Sequence, residues 1–314
     1  MKRLFTLFWA LLLSTASLFA GEEDITLNTH TGEIHGSLML PEGETPCPVV
    51  LIIAGSGPTD MNGNTIAAGM TNNSLLYLAQ ELAANGIASV RYDKRGIGKS
   101  AAAGAKEEDL RFDHYIEDAA MWADKLALDA RFNKVYIAGH SEGSLIGMVA
   151  AKRSAAVKGY ISIAGCGSPA YEILEKQLQG QPEQIQQESA AICKELCEGR
   201  TVEQVPFYLA SLYRQSVQPY LISWFSYNPA VEIAKLEIPA LILQGDKDIQ
   251  VGTEEAEKLH AAYPSAAIYI IKEMNHVLKQ CGTMEQMAQL ATYSDPTLPI
   301  NTELVSHIVK FIKE

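Results

Sequence analysis

Apolar and polar positions along the chain follow two periods in turn, and each stretch predicts an element. Residues 24–41, DITLNTHTGEIHGSLMLP, alternate apolar and polar side chains around a Thr-Gly turn, which predicts an antiparallel hairpin. CPVVLIIAGSGPTD (47–60) is a continuous apolar strand running into a Gly/Pro loop. NNSLLYLAQELAANG (72–86) carries apolar residues at helical spacing between an Asn/Ser start and an Asn-Gly stop. A strand at IASVRYD (87–93), a helix over 107–129, a strand at KVYIAG (134–139), a helix at SLIGMVAAKRS (144–154) and a strand at VKGYISIAG (157–165) follow. Strand and helix alternate, which predicts an α/β fold with a mostly parallel, doubly wound sheet covered on both faces and an N-terminal antiparallel hairpin.

The alternation breaks near residue 168. Up to about 227 the chain is rich in Gln and Glu, with helical stretches AYEILEKQLQ and QESAAICKELCE, followed by the more apolar VPFYLASLYRQSVQPYLISWFSY. No strand is evident there. The α/β pattern returns with IPALILQGDKD, TEEAEKLHAAYP, AAIYIIKEMNH and the closing helix TELVSHIVKFIK. The expected organisation is therefore a body made of 21–167 and 228–314, with a helical cap or lid inserted at 168–227.

The first twenty residues, MKRLFTLFWALLLSTASLFA, place two basic residues before a short apolar run and end on a small residue. That order predicts a secretory signal peptide over 1–20, an exported product beginning near Gly21, and no stable membrane insertion after cleavage. The 314 residues are 47% hydrophobic and 20% charged, ordinary for a globular protein, and the formal net charge of −12 argues against a nucleic-acid partner. Five scattered cysteines fit neither a disulfide framework nor a zinc site, and at most one or two bridges could form; Cys193 and Cys197, four apart on a predicted helix, could form a strained bridge but are expected to be two free thiols. Neither a metal nor an organic cofactor is expected.

The candidate chemistry begins at YIAGHSEGSLIG (136–147). Gly139-His140-Ser141-Glu142-Gly143 matches G-x-S-x-G in the context the motif demands, a strand before and a helix after, so that a tight bend holds the Ser141 hydroxyl at the carboxyl edge of the sheet. A serine hydroxyl is a weak nucleophile and needs a base, and the base needs an orienting carboxylate. Of the seven histidines, His276 follows a late strand, while the others fall in the hairpin, in helices or beside Ser141. Asp246 and Asp248, at the end of the strand before it, both remain candidates for the carboxylate.

With those residues in view, the chain from about 46 onward resembles the α/β-hydrolases. The G-x-x-D loop of that superfamily aligns on Gly245-Asp246-Lys247-Asp248 and implies that Asp248 is the acid. AGSGPTDMNGN (54–64) is similar to the G-S-G-P-T-D-x-x-G-N loop of bacterial esterase-like hydrolases related to the serine aminopeptidase S33 group. That resemblance implies an oxyanion hole formed by the backbone N–H groups of Ser56 and Glu142. RYDKRGIGKS (91–100) resembles the D-x-R-G-x-G-x-S loop, and Asp93 and Arg95 are expected to tie it to the nucleophile turn. Its glycines fit neither a P-loop nor a dinucleotide fingerprint.

These features imply a serine hydrolase that cleaves a small-molecule carboxylic ester through an acyl-enzyme, with Ser141, His276 and Asp248 as a triad. An S33-type aminopeptidase or amidase would use the same triad and a cap carboxylate for the substrate amine, with Glu172, Glu175, Glu183, Glu188, Glu195 and Glu198 as candidates. A non-catalytic binding protein on the same fold is the alternative of another class. Phe207, Tyr208, Tyr213, Tyr220, Trp224, Phe225 and Tyr227 make the second half of the cap aromatic, for packing onto the body or for lining an acyl pocket.

Overall fold

The computed structural model describes residues 19–43, 45–104 and 106–314; the expected signal peptide falls, but for its last two residues, outside them. Eight strands form one sheet: β1 (Phe19–Thr29), β2 (Gly32–Pro41), β3 (Cys47–Ile53), β4 (Ala88–Tyr92), β5 (Phe132–His140), β6 (Val157–Ile163), β7 (Ala240–Gly245) and β8 (Ala267–Ile271). Their order is β1-β2-β4-β3-β5-β6-β7-β8. The hairpin β1–β2 is antiparallel, β2 pairs antiparallel with β4, and every later pairing is parallel. This is the mostly parallel, doubly wound sheet with an N-terminal antiparallel hairpin that the sequence predicts.

The helices among the described residues are α1 (Ser74–Ala84), α2 (Phe112–Ala127), α3 (Glu142–Arg153), α4 (Ala170–Gln177), α5 (Glu183–Cys197), α6 (Ala210–Tyr213), α7 (Gln218–Phe225), α8 (Pro229–Ile233), α9 (Thr253–Ala262), α10 (Gln286–Tyr293) and α11 (Thr302–Lys313). Successive residues of a strand face opposite sides. In β3, Val49, Leu51 and Ile53 therefore enter one core with α2, α3 and α9, while Val50 and Ile52 enter a second with α1 and α11. Both faces being covered, β3 reads as an unbroken apolar run.

α4 to α7 lie between β6 and β7 and have a core of their own, with Ile192, Leu196, Leu209, Tyr213, Leu221 and Phe225 buried together. An aromatic seat joins this segment to the body. Phe112, at the start of α2, stacks on Trp224 with ring centroids 5.8 Å apart and meets Tyr227 at 5.4 Å. Helix α2 begins at Phe112 rather than at 107: Glu107–Asp109 form a short 3₁₀ turn, and the Glu107 carboxylate takes Arg214 and Ser216 from the helical segment. The five cysteines are free thiols, Cys193 and Cys197 included.

Candidate active site

Ser141 joins β5 to α3 with φ 54° and ψ −120°, a conformation a non-glycine residue adopts only when its surroundings enforce it. Two glycines make the bend possible. A Cβ on Gly139 would stand 2.0 Å from the Gly143 carbonyl oxygen, and one on Gly143 would stand 2.4 Å from that of Ile53. Ser141 occupies the N-cap position of α3 without spending its hydroxyl on a capping bond. The Glu142 N–H belongs to the first turn, where a helix has no partner to offer it.

The loop after β7 and the turn after β8 converge next to this bend. His276 Nδ1 and Asp248 Oδ2 are 2.7 Å apart, with both residues 5% exposed. Asp248 is held in turn by the N–H groups of Gln250 and Val251 on its other oxygen, at 2.8 and 2.9 Å, and by the Gln244 amide at 3.0 Å. Burial alone would raise its pKa, but the His276 imidazole and the two backbone donors outweigh it, and the carboxyl lies below its ordinary value. Asp246 makes different contacts, accepting the Glu273 N–H at 2.6 Å and the Lys247 ammonium at 3.2 Å. It ties the two loops together and does not touch His276.

His140 forms a third link. Its Nε2–H donates to the His276 carbonyl at 2.8 Å, and the two ring centroids lie 4.9 Å apart. Burial first, then the neighbouring His276, lowers the His140 pKa to about 3, so the ring is neutral and its Nε2 keeps the proton a carbonyl requires. The structure thus brings His276 and Asp248 into contact and ties His276 through its carbonyl to His140, the residue before Ser141; no hydrogen bond joins the Ser141 hydroxyl to the imidazole.

A cavity of about 330 Å³ opens over Ser141, and Ser56 and Glu142 also line it. Its remaining wall is mainly apolar, with Leu145 from the body and Ile173, Leu174, Leu212, Leu221 and Trp224 from the helical segment. Glu142 is the carboxylate on this wall, and it is already engaged by Lys94 and Tyr220. None of the six acidic candidates of the helical segment reaches the cavity: Glu188, for instance, accepts from Tyr208 and Gln184, and Glu195 and Glu198 pair with Arg200. Among the described residues, no group of three or more His, Cys, Asp or Glu is arranged to hold a metal ion.

Comparison with known proteins fixes the family. The description "Serine aminopeptidase, S33" matches residues 66–230, more than half of the chain. The chain belongs to the serine aminopeptidase S33 family. Esterase EstD of Thermotoga maritima is 27% identical to this S33 chain over 271 residues, which cover 82% of the chain and 60% of the relative. The chain thus spans 60% of the length of the curated relative it matches. Among solved structures, Est1E of Butyrivibrio proteoclasticus, with ferulic acid bound, superposes with a TM-score of 0.61 at 18% identity over 92% of this chain and all of that one. The Pyrococcus furiosus esterase Pf2001 gives a TM-score of 0.56 at 14% identity, covering 93% and 92% of the two chains. At such identities, those two share the α/β-hydrolase fold.

Several residues of the S33 chain's site were not legible in advance. Gln244, facing inward from β7, supports Asp248, and its trace in the sequence is one amide inside an apolar run. Asp93 and Arg95 do not tie their loop to the nucleophile turn as expected. Asp93 instead accepts the N–H groups of Met61 and Lys99, both at 2.8 Å, and Arg95 pairs with buried Asp118 at 2.6 Å. The residue between them, Lys94, makes the contact with Glu142.

Proposed function

We propose that this protein is a serine hydrolase that cleaves carboxylic esters carrying an apolar acyl group. The reading is carried by one observation: a buried carboxylate–imidazole pair is tied through His140 to a serine held in a strained strand-to-helix turn. In the proposed reaction, the His276 Nε2 takes the Ser141 proton as the hydroxyl oxygen attacks the ester carbonyl. Asp248 keeps the Nδ1 proton in place and stabilises the imidazolium. The N–H groups of Ser56 and Glu142 receive the oxyanion. Collapse of the tetrahedral adduct expels the alcohol, which takes its proton from His276 and leaves an acyl-serine. Water, deprotonated by the same imidazole, then releases the acid.

The ester reading is preferred over an aminopeptidase because a substrate ammonium needs a free carboxylate. The one on the cavity wall, Glu142, is neutralised by Lys94. Residues 168–227 are proposed to act as a cap whose apolar inner side selects the acyl part. The leader pattern at 1–20 supports export, with the mature chain starting near Gly21. Labelling by a fluorophosphonate, together with hydrolysis of p-nitrophenyl esters in preference to aminoacyl anilides, tests the reading. Both activities are expected to vanish in Ser141→Ala. Labelling that survives that substitution, or a preference for the anilide, would refute the reading.

A further inference from the structure

The D-x-R-G loop motif leaves its second position unspecified, yet here that position holds a buried cation: the Lys94 side chain is 2% exposed. Removing an ammonium from water is strongly unfavourable unless partners surround it. Lys94 Nζ donates to the Gly55 carbonyl at 2.6 Å and to Glu142 Oε1 at 2.7 Å, and lies 5.2 Å from the centroid of the Tyr115 ring. The second Glu142 oxygen accepts the Tyr220 hydroxyl of α7 at 2.7 Å.

The Gly55 carbonyl is one half of a peptide unit whose other half is the Ser56 N–H. This unit is trans, as is every described peptide bond except Thr45-Pro46. In a planar trans unit the C=O and N–H point in opposite directions, so whatever holds the carbonyl also aims the amide. Among the described residues no acceptor takes the Ser56 N–H, and Ser56 lines the cavity beside Ser141. The same ammonium grips the side chain of Glu142, whose backbone N–H opens α3.

We propose that Lys94 is a positioning residue: by holding the Gly55 carbonyl and the Glu142 carboxylate together, it aims the two backbone N–H groups that receive the oxyanion. Tyr220 extends this link to the helical segment. The proposal rests on the reading of Ser141 as the nucleophile.

Removing Lys94 alone would strand the buried Glu142 charge, so the test uses Lys94→Met/Glu142→Gln, which removes both charges. Steady-state hydrolysis of a p-nitrophenyl ester is measured beside inhibition by an aryl trifluoromethyl ketone, which adds the serine hydroxyl and places an oxyanion in the same hole. With the melting temperature showing a folded protein, kcat is expected to fall roughly 10- to 100-fold with KM within about threefold, and ketone affinity to weaken by a similar factor. If the paired variant does not fold, Lys94→Gln/Glu142→Gln, which leaves no buried charge and offers a shorter neutral donor in place of the ammonium, is expected to show the same split. In either folded variant, unchanged kcat and ketone affinity, or a loss confined to KM, overturns the proposal. Failure of the wild type to show Ser141-dependent hydrolysis would instead refute the underlying reading.

Discussion

The carboxyl edge of the sheet and the helical segment between β6 and β7 border the same cavity but are held in different ways. At the edge, Asp248, His276, His140, Glu142 and Lys94 are all buried and joined by short, directional hydrogen bonds. The helical segment relies mainly on a small apolar core, stacked aromatic rings and exposed ion pairs such as Arg214 with Glu107, and its buried polar bonds, from Gln218 and Ser189 to Tyr213, stay within the segment and away from the cavity chemistry. Buried polar contacts fix position sharply because an unpaired buried group is heavily penalised, whereas apolar packing tolerates changes of shape. Under the proposed ester hydrolysis, the fixed edge would serve the chemistry and the more adjustable segment the choice of acyl group.

Substitutions can break this contrast or sharpen it. The largest effect is expected for Asp248→Asn, which preserves shape but not charge: kcat for a p-nitrophenyl ester should drop about 10³- to 10⁴-fold with little change in KM. Acid should loosen the sheet edge first. His140 has a folded pKa lowered to about 3 from an ordinary 6.5, so below pH 6.5 the unfolded chain binds a proton that the folded one refuses. Stability should therefore decline as pH falls from 6.5 towards 3, by on the order of 3 kcal/mol at pH 4, and the lowered Asp248 pKa adds further loss at more acidic pH. Thermal melts against pH would record this, with a flatter profile for His140→Asn. On the other side of the cavity, Trp224→Ala should alter the preference for acyl length by about tenfold in kcat/KM, while stability falls by about 1–3 kcal/mol. The smallest effect is expected for Arg214→Ala, an exposed pair worth under about 1 kcal/mol in a denaturant melt.

What could be read from the chain follows the same divide. The strands were legible because a sheet covered on both faces demands continuous apolar runs, as in β3 and β7. The Ser141 turn was legible because its two glycines are forced by close backbone approach. The start of α2 was misjudged because Glu107 forgoes the helix for Arg214, more than a hundred residues away. Helix α10 has no clear pattern in the sequence because its own polar residues face inward to distant partners, as when Thr292 takes the Asn275 amide and Gln289 reaches the Lys247 carbonyl. The role of Lys94 is hidden in the sequence because nothing near it identifies its partners, Gly55 and Glu142, which lie 39 and 48 positions away. Local periodicity reports burial, but it cannot report which distant polar group a buried side chain meets.

Strands β6 and β7 are neighbours in parallel register, and the short helix α8 completes the passage from one to the other. Everything from α4 to α7 is thus a detour that the sheet does not require, with hydrophobic contents of its own. A change of length or sequence in that detour therefore leaves the pairing of the strands beneath it untouched.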